Sequence, residues 1–447
     1  MNSTAKVISY NSFGEDISAC AARISTTKGD ALEIFDASKD REKNRGLIKK
    51  VLSSGHKSIL EHTVFTIAFC NVSAVVEEFF SEHRLASFTV KSRRYVDYSN
   101  LGYYVPPDLD SPSESVYRAY MEQLFSAYHS LVDRGIPKED ARFLLPYSFH
   151  SNFYCTVNGR ELAHILRRAH ADRLRPVPEI VDLLDQIAAQ LEELCPSLLA
   201  ELNQAPPDQA EPLAPVGAAP DPAPVLLDAS QIGGVEFVQC PAEADAVIKA
   251  AGKILHPRSS PYTGSVEALE NGCGRVLEQL VYTFQISDIT LSGLTHLVRH
   301  RMQSLLVPDI REMPLDKCVL PPAVCLRPEE KELYTRAVQT AFEMRAKAMQ
   351  DPALQAHRCY FALSGNLCNV MTSMNARELM EFIRLRSCNR AQWEIRDITI
   401  LLLKQLREHA PALFNTAGPS CYSRGYCPEG KMTCGKMSET VSSFSSL

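Results

Sequence analysis

Basic and amide side chains recur in this chain as a set. Glu82-His83-Arg84 with Ser87 returns as Arg299-His300-Arg301 with Ser304, an offset of 217 residues (82 to 299). The same offset carries Gly55 onto Gly272, Glu61 onto Glu278, Thr66 onto Thr283 and Arg94 onto Arg311. It also carries Asn158-Gly159-Arg160-Glu161-Leu162 onto Asn375-Ala376-Arg377-Glu378-Leu379. Two guanidiniums around an imidazole offer several donors and no adjacent acid, which suits a phosphate, a pyrophosphate or an electron-rich ring. In a single copy, a helix end complementing its own dipole would look the same. The repetition of the cluster favours an anionic ligand.

Three further groups could do chemistry. Ser92 and Arg94, two residues apart on a segment that reads as extended, would share a face and could grip a phosphate monoester; an ordinary polar edge strand is the alternative. The second copy has Asp309 and Arg311 there, and an aspartate repels phosphate, so the copies are expected to differ in ligand role. Asn375 and Arg386 lie eleven residues apart, three helical turns and near one face. An amide and a guanidinium so placed could hold a uracil-like or flavin-like ring edge, whereas Arg377 and Arg384 read as surface charge-pair residues. His56, shortly before Glu61-His62, reads as structural or part-exposed. Its counterparts Cys273 and Gln279 exclude a repeated metal pair. Cys421, Cys427 and Cys434 alternate with Gly425, Pro428, Gly430 and Gly435. Turn residues between thiols can fold around zinc, but no CxxC spacing and no fourth ligand is evident, so no metal is assigned. No phosphate-binding Gly-rich loop, zinc-protease motif or Ser-His-Asp signature is present.

These groups need scaffolds. A chain of 447 residues exceeds one core, so two or more domains are expected. The division read from the repeat is 1–199, a Pro/Ala-rich linker at 200–234, a second domain at 235–417, and a cysteine-containing tail at 418–447. Linker prolines such as Pro206, Pro207, Pro220 and Pro222 favour extended chain. From Ser438 the Ser-rich end is expected to fray. Val64 to Asn71 and Val281 to Ser287 read as strands. Val75, Val76, Phe79 and Phe80, and likewise Leu291, Leu294 and Leu297, recur at helical spacing just before each basic cluster. Phe88 to Tyr98 alternates and ends in Asp-Tyr-Ser-Asn, so it reads as an extended segment and turn. Asn158 and Asn375 read as N-caps. A net charge of −6 gives no global attraction to nucleic acid or an anionic membrane. No apolar run would span a bilayer, no signal layout opens the chain, and scattered cysteines suit a reducing compartment. A cytoplasmic protein is expected.

RHR followed seven residues later by Ser resembles the signature of the flavin-dependent thymidylate synthases. Copy one has Glu82-His83-Arg84 and then Ser92; copy two has Arg299-His300-Arg301 and then Asp309. Gly55 to His62 is similar to that family's flavin-contacting stretch, and Asn375 to Arg386 with Ala391 to Arg396 to its C-terminal helix. The resemblance implies an α+β fold in two tandem copies. It also implies reductive methylation of dUMP to dTMP, with methylenetetrahydrofolate as carbon donor, NADPH as reductant and FAD as hydride carrier. It assigns Ser25, His56, Ser58, His83, Arg84, Arg299, His300, Arg301, Asn158 and Asn375 to the cofactor. Ser92, Arg94, Arg142, Arg311 and Arg386 fall to the substrate, with Ser92, Arg94 and Arg386 nearest the chemistry. The family's usual homotetramer implies a homodimer forming a pseudo-tetramer, with sites shared between repeats. Departures are Glu82 for the first arginine, Ala169 beside Arg168 for the late one, Val90 and Val307 for an acid, Cys273 for the flavin-side histidine, and Asp309 for the serine. A diverged flavin- or nucleotide-binding relative, or an enzyme acting on another pyrimidine, stays open beside the synthase.

Overall fold

The computed structural model describes residues 2–171, 177–204, 224–272 and 274–447. Most of the Pro/Ala-rich stretch (205–223) and Cys273 lie outside the described residues. The chain forms two compact units, Met1–Pro220 with Arg336–Leu363, and Asp221–Thr335 with Ser364–Leu447.

The first unit is built on a four-stranded antiparallel sheet of β1 (Thr4–Tyr10), β2 (Val64–Val72), β3 (Ser87–Val90) and β4 (Ser151–Asn158), ordered β1-β2-β4-β3. Period-two alternation sends Phe65, Ile67 and Phe69 of β2 into the core. The edge strand β1 is covered by the helix Pro178–Leu194, whose Gln186 and Gln190 accept the amides of Ala5 and Val7 at 3.0 and 2.9 Å. Residues Arg336–Leu363 join this unit through aromatic packing. The Tyr117 and Phe361 rings meet edge-on at 5.4 Å, and the Tyr120 hydroxyl donates to the Phe361 carbonyl at 2.7 Å.

The second unit repeats the plan. A short parallel pair joins β5 (Val225–Asp228) to β9 (Lys317–Leu320). The main sheet holds β6 (Gly234–Gln239), β7 (Val281–Thr290), β8 (Ser304–Leu306) and β10 (Leu367–Asn375), ordered β6-β7-β10-β8.

Details repeat as well as topology. Asn71 and Asp288, at equivalent positions, both have φ of 54°, a left-handed conformation tolerated best by such short polar residues. Each amide is taken by a cross-strand asparagine, Asn152 at 3.2 Å and Asn369 at 2.9 Å. These bulges lie just before the ends of β2 and β7, which lead into the helices Ala74–Ser81 and Leu291–Leu297 that carry the basic clusters. Both strands and both helices agree with the periodicities in the sequence.

Two expectations fail. The segment after β3 is not extended: the amides of Tyr95 and Val96 return to the Ser92 carbonyl at 3.4 and 3.0 Å, closing a turn. The Ser-rich end is a helix, Met437–Ser445, with Phe444 buried and its carbonyl held by Arg407 at 2.8 Å. Among the described residues no helix is long and apolar enough to cross a membrane.

Candidate active site

In the second unit the site starts from an anchored helix. Thr290 caps Leu291–Leu297 by accepting the Gly293 amide at 2.7 Å. Its own amide and hydroxyl both donate to the buried Glu394 carboxylate at 2.6 Å. A Cβ on Gly293 would fall 2.6 Å from a Glu394 oxygen, so only glycine lets helix and carboxylate approach. The helix delivers Arg299, His300 and Arg301. Arg299 and Arg301 face outward, while His300 is buried with its ring edge-on to Phe382 at 4.8 Å.

His300 meets Arg386, the last residue of the helix Ala376–Arg386. The Arg386 Nε donates to His300 Nε2 at 2.9 Å, and a terminal nitrogen donates to the His296 carbonyl at 3.3 Å. A guanidinium has no acceptor to offer, so Nε2 is the unprotonated nitrogen and the ring proton sits on Nδ1, 3.5 Å from Glu378. Burial holds the imidazole below its usual range; Glu378 counters this and the Arg386 charge adds to it. A neutral histidine thus fixes the orientation of a cation.

Asn375 caps the same helix, accepting the Glu378 amide at 2.9 Å. It therefore sits at the opposite end from Arg386, eleven residues or about 16 Å along the axis. The two cannot grip one ring edge, as their shared face had suggested. Beside this N-terminus opens a cavity of about 850 Å³ lined by Gly272, Glu278, Met302, Asn375, Glu378 and Arg424, among others. Arg377 and Arg384, also on its wall, pair with Glu278 at 2.5 Å and with Glu381 at 3.0 Å, as their reading as charge-pair residues anticipated.

In the first unit the scaffold is the same and the tips differ. Ser73 caps Ala74–Ser81, and Glu179 accepts the Ser73 amide at 2.8 Å, as Glu394 does for Thr290. The Arg160–Glu61 pair repeats Arg377–Glu278, again at 2.5 Å. His83 is buried, and its Nδ1 faces the Phe79 carbonyl at 3.0 Å. Its Nε2 has no hydrogen-bond partner among the described residues, because Ala169 stands where Arg386 stands in the other copy. Burial first, then the Arg168 charge, pushes this imidazole down to about 3. Glu82, in place of Arg299, pairs with Arg168 at 2.8 Å. Copy one has closed its basic cluster with an ion pair of its own.

Ser92, Arg94 and Arg142 are brought together, around a residue that sequence reasoning missed. Arg94 pairs with the Glu139 carboxylate at 3.0 Å, and Arg142, almost fully buried, donates from Nε to the Glu139 carbonyl at 3.1 Å. The Arg94 amide donates to Ser92 Oγ at 3.3 Å. Arg93 turns inward to Glu77 at 2.8 Å beneath the Phe149 ring. In copy two Arg311 folds onto Asp309, Nε to carboxylate at 2.8 Å. Arg84 is exposed, as are Ser25 at the end of the helix Asp16–Ile24 and His56 and Ser58 at the start of the 3-10 helix Lys57–His62, and Asn158 caps Gly159–Ala171 at 2.9 Å. Nothing in local sequence marked Glu139, because the partner of its carboxylate, Arg94, comes from a turn more than forty residues away.

A family model described as "Thymidylate synthase complementing protein" matches residues 6–197 and again 237–412. The chain is 35% identical over 174 residues to the flavin-dependent thymidylate synthase of Geobacter sulfurreducens, covering 38% of this chain and 74% of that protein. It is 38% identical over 159 residues to the enzyme of that name from Sulfurisphaera tokodaii, covering 35% of this chain and 61% of the relative. Among solved structures it is similar to the UMP/dUMP methylase PolB from Streptomyces cacaoi bound with 5-Br dUMP, at 26% identity and a TM-score of 0.39, over 45% of this chain and 95% of that one. The fold and basic clusters define a duplicated α+β enzyme scaffold. The chain belongs to the flavin-dependent thymidylate synthase family, whose domain it carries twice.

Proposed function

We propose that the protein converts dUMP to dTMP, taking the carbon from methylenetetrahydrofolate and the hydride from NADPH by way of FAD. The Arg386–His300 contact carries this reading. It presents a guanidinium whose orientation is fixed by a neutral, buried imidazole, an arrangement suited to charge that develops on a pyrimidine carbonyl. The chain's residues fit a flavin nucleotide. The cavity's volume of about 850 Å³ lies within the usual range for ligand sites. Its wall includes the first turn of Ala376–Arg386, a helix end that favours phosphate, with Arg424 nearby. When bound, the flavin supplies hydride transfer. Asn375 and Arg299 to Arg301 would hold it, and Arg386 would orient and polarise the pyrimidine. Ser92, Arg94 and Arg142 would bind the nucleotide phosphate, with Arg94 exchanging Glu139 for it. His56 and Ser58 would contact the cofactor from the first repeat. The two sets of residues complement each other in type, which supports a homodimeric pseudo-tetramer with fewer competent sites than four.

A second reading has one observation behind it. Arg94 and its counterpart Arg311 are already neutralised, by Glu139 and by Asp309, as suits a diverged pyrimidine-nucleotide binder. The deciding experiment is dTMP formation from dUMP with methylenetetrahydrofolate, NADPH and FAD. Product that vanishes when FAD is omitted supports the synthase. A flavin spectrum that shifts on adding dUMP, without product, supports the second reading.

A further inference from the structure

Four thiols that the proposed reaction does not use line one pocket of about 60 Å³: Cys388, just past the end of Ala376–Arg386, and Cys421, Cys427 and Cys434 of the tail. All four are unpaired. The Asn389 side-chain amide places a donor 3.7 Å from the Cys434 sulfur. Such an outer hydrogen bond orients a metal-bound ligand. Arg390 lines the same pocket, as does Glu429, and Arg384 on its wall is paired with Glu381. The surrounding chain is held in place: Arg384 reaches Ser420 at 3.3 Å and Arg407 reaches the Ala417 carbonyl at 3.0 Å.

We propose that Cys388, Cys421, Cys427 and Cys434 bind one zinc ion as a structural four-thiolate site that pins the tail to the end of Ala376–Arg386. Cys388 is the fourth ligand that the tail alone lacks. Zinc–sulfur bonds of about 2.3 Å in a tetrahedron place the sulfurs about 3.8 Å apart. Among the described residues no group of three or more His, Cys, Asp or Glu is arranged to hold a metal ion, so the four thiols do not form the site as they stand, and binding must draw the pocket inward. The loop is built to allow that. Gly425, Gly430 and Gly435 have φ of 73°, 52° and 73°, and nothing lies within 4 Å of where their Cβ atoms would be. An all-sulfur set without imidazole or carboxylate selects zinc or an iron–sulfur cluster among common metals. A single ion is favoured by the pocket's small volume. Arg384 lines both this pocket and the large cavity, so the ion would also stiffen the cavity wall.

The test is the metal content of the full-length protein, purified without chelators and measured by inductively coupled plasma mass spectrometry. About one zinc per chain is expected, falling below about 0.2 in a C427S/C434S variant. A C70S variant, altering an exposed thiol of the first unit, should keep its zinc. If the double variant fails to fold, the wild-type protein still decides. Mercurial modification of its thiols should release about one equivalent of zinc to a chromophoric chelator. Four alkylatable thiols with no metal, disulfides among these cysteines, iron with its visible absorption, or zinc retained by the double variant would each overturn the proposal.

Discussion

Arg386→Ala separates the architectural and chemical roles of the site. The substitution removes the 2.9 Å donor to His300 Nε2, on a ring only 7% exposed. A buried acceptor stripped of its donor costs about 1–3 kcal/mol. With a urea slope of about 2–3 kcal/mol/M, the midpoint should fall by roughly 0.3–1.5 M. The nearby cation also disappears, so His300 should titrate higher than in the wild type, because Arg386 is one of the groups holding it down. If the guanidinium meets charge on the pyrimidine, kcat/KM should fall a further ~100- to 1,000-fold, well beyond the fraction of protein unfolded. Urea titration, the imidazole resonance by NMR and the dTMP assay read these three effects separately. Arg386→Lys keeps the charge but not the planar fork, so it should recover part of the stability and little activity. An unmoved midpoint would show that the Arg386–His300 bond is not made in solution. Intact turnover would remove Arg386 from the active site, whatever the stability result.

Other perturbations test the scaffold. Gly293→Ala should destabilise the second unit by about 1–3 kcal/mol through overpacking, since its Cβ would stand 2.6 Å from Glu394; thermal unfolding checks this. Glu77→Ala strands the buried Arg93, whose side chain is 3% exposed, and should cost about 3–5 kcal/mol, while a Glu77→Leu/Arg93→Met double variant should cost far less. Glu82→Ala breaks a pair whose side chains are 30% and 47% exposed, and denaturant titration should show a change under about 1 kcal/mol. Two groups on either side of Glu82 oppose each other in pH dependence. His83, depressed to about 3 by burial, contributes stability that is present above about 6.5 and is lost as pH falls toward 3. Glu78, raised to about 8 chiefly by burial and then by Glu82, contributes stability present below about 4.5 that is lost as pH rises through 8. Glu78→Gln should flatten the alkaline limb of a stability–pH profile and leave the acid limb in place.

What could be read from the chain was whatever repeats at short range. Alternating apolar residues announced β2 and β7, and helical spacing before His83 and Arg299 located the clusters at helix ends. Asn158 and Asn375 were recognisable as caps because the cap and the amide it accepts are three residues apart. Partners supplied from elsewhere in the fold were invisible. A charged residue is exposed by default, so Arg93 gave no sign of turning inward to Glu77, nor Arg94 of meeting Glu139. The turn at Ser92 was hidden because alternation persists through it while the hydrogen bonds reverse. The terminal helix was hidden by its serine content, although Phe444 gives it a buried face and Arg407 ties down its end.

The two copies together indicate which contacts the fold requires and which ones the ligand requires. The left-handed residue ending the long strand, the carboxylate beneath the capped helix and the Glu–Arg pair at 2.5 Å occur in both units. These lie away from the tips of the basic clusters and maintain the sheet and helix positions. At the tips the copies differ, and two of the changes there carry a local compensation. Where the first arginine became Glu82, Arg168 answers it; where the serine became Asp309, it neutralises Arg311. His83 is the exception: it kept its burial and lost its guanidinium, leaving Nε2 without a partner among the described residues. An orphaned buried nitrogen lowers stability without serving the fold, and the copies differ here by the arginine that completes the histidine in one of them. The second unit still holds that pair, and the site chemistry should be sought there first.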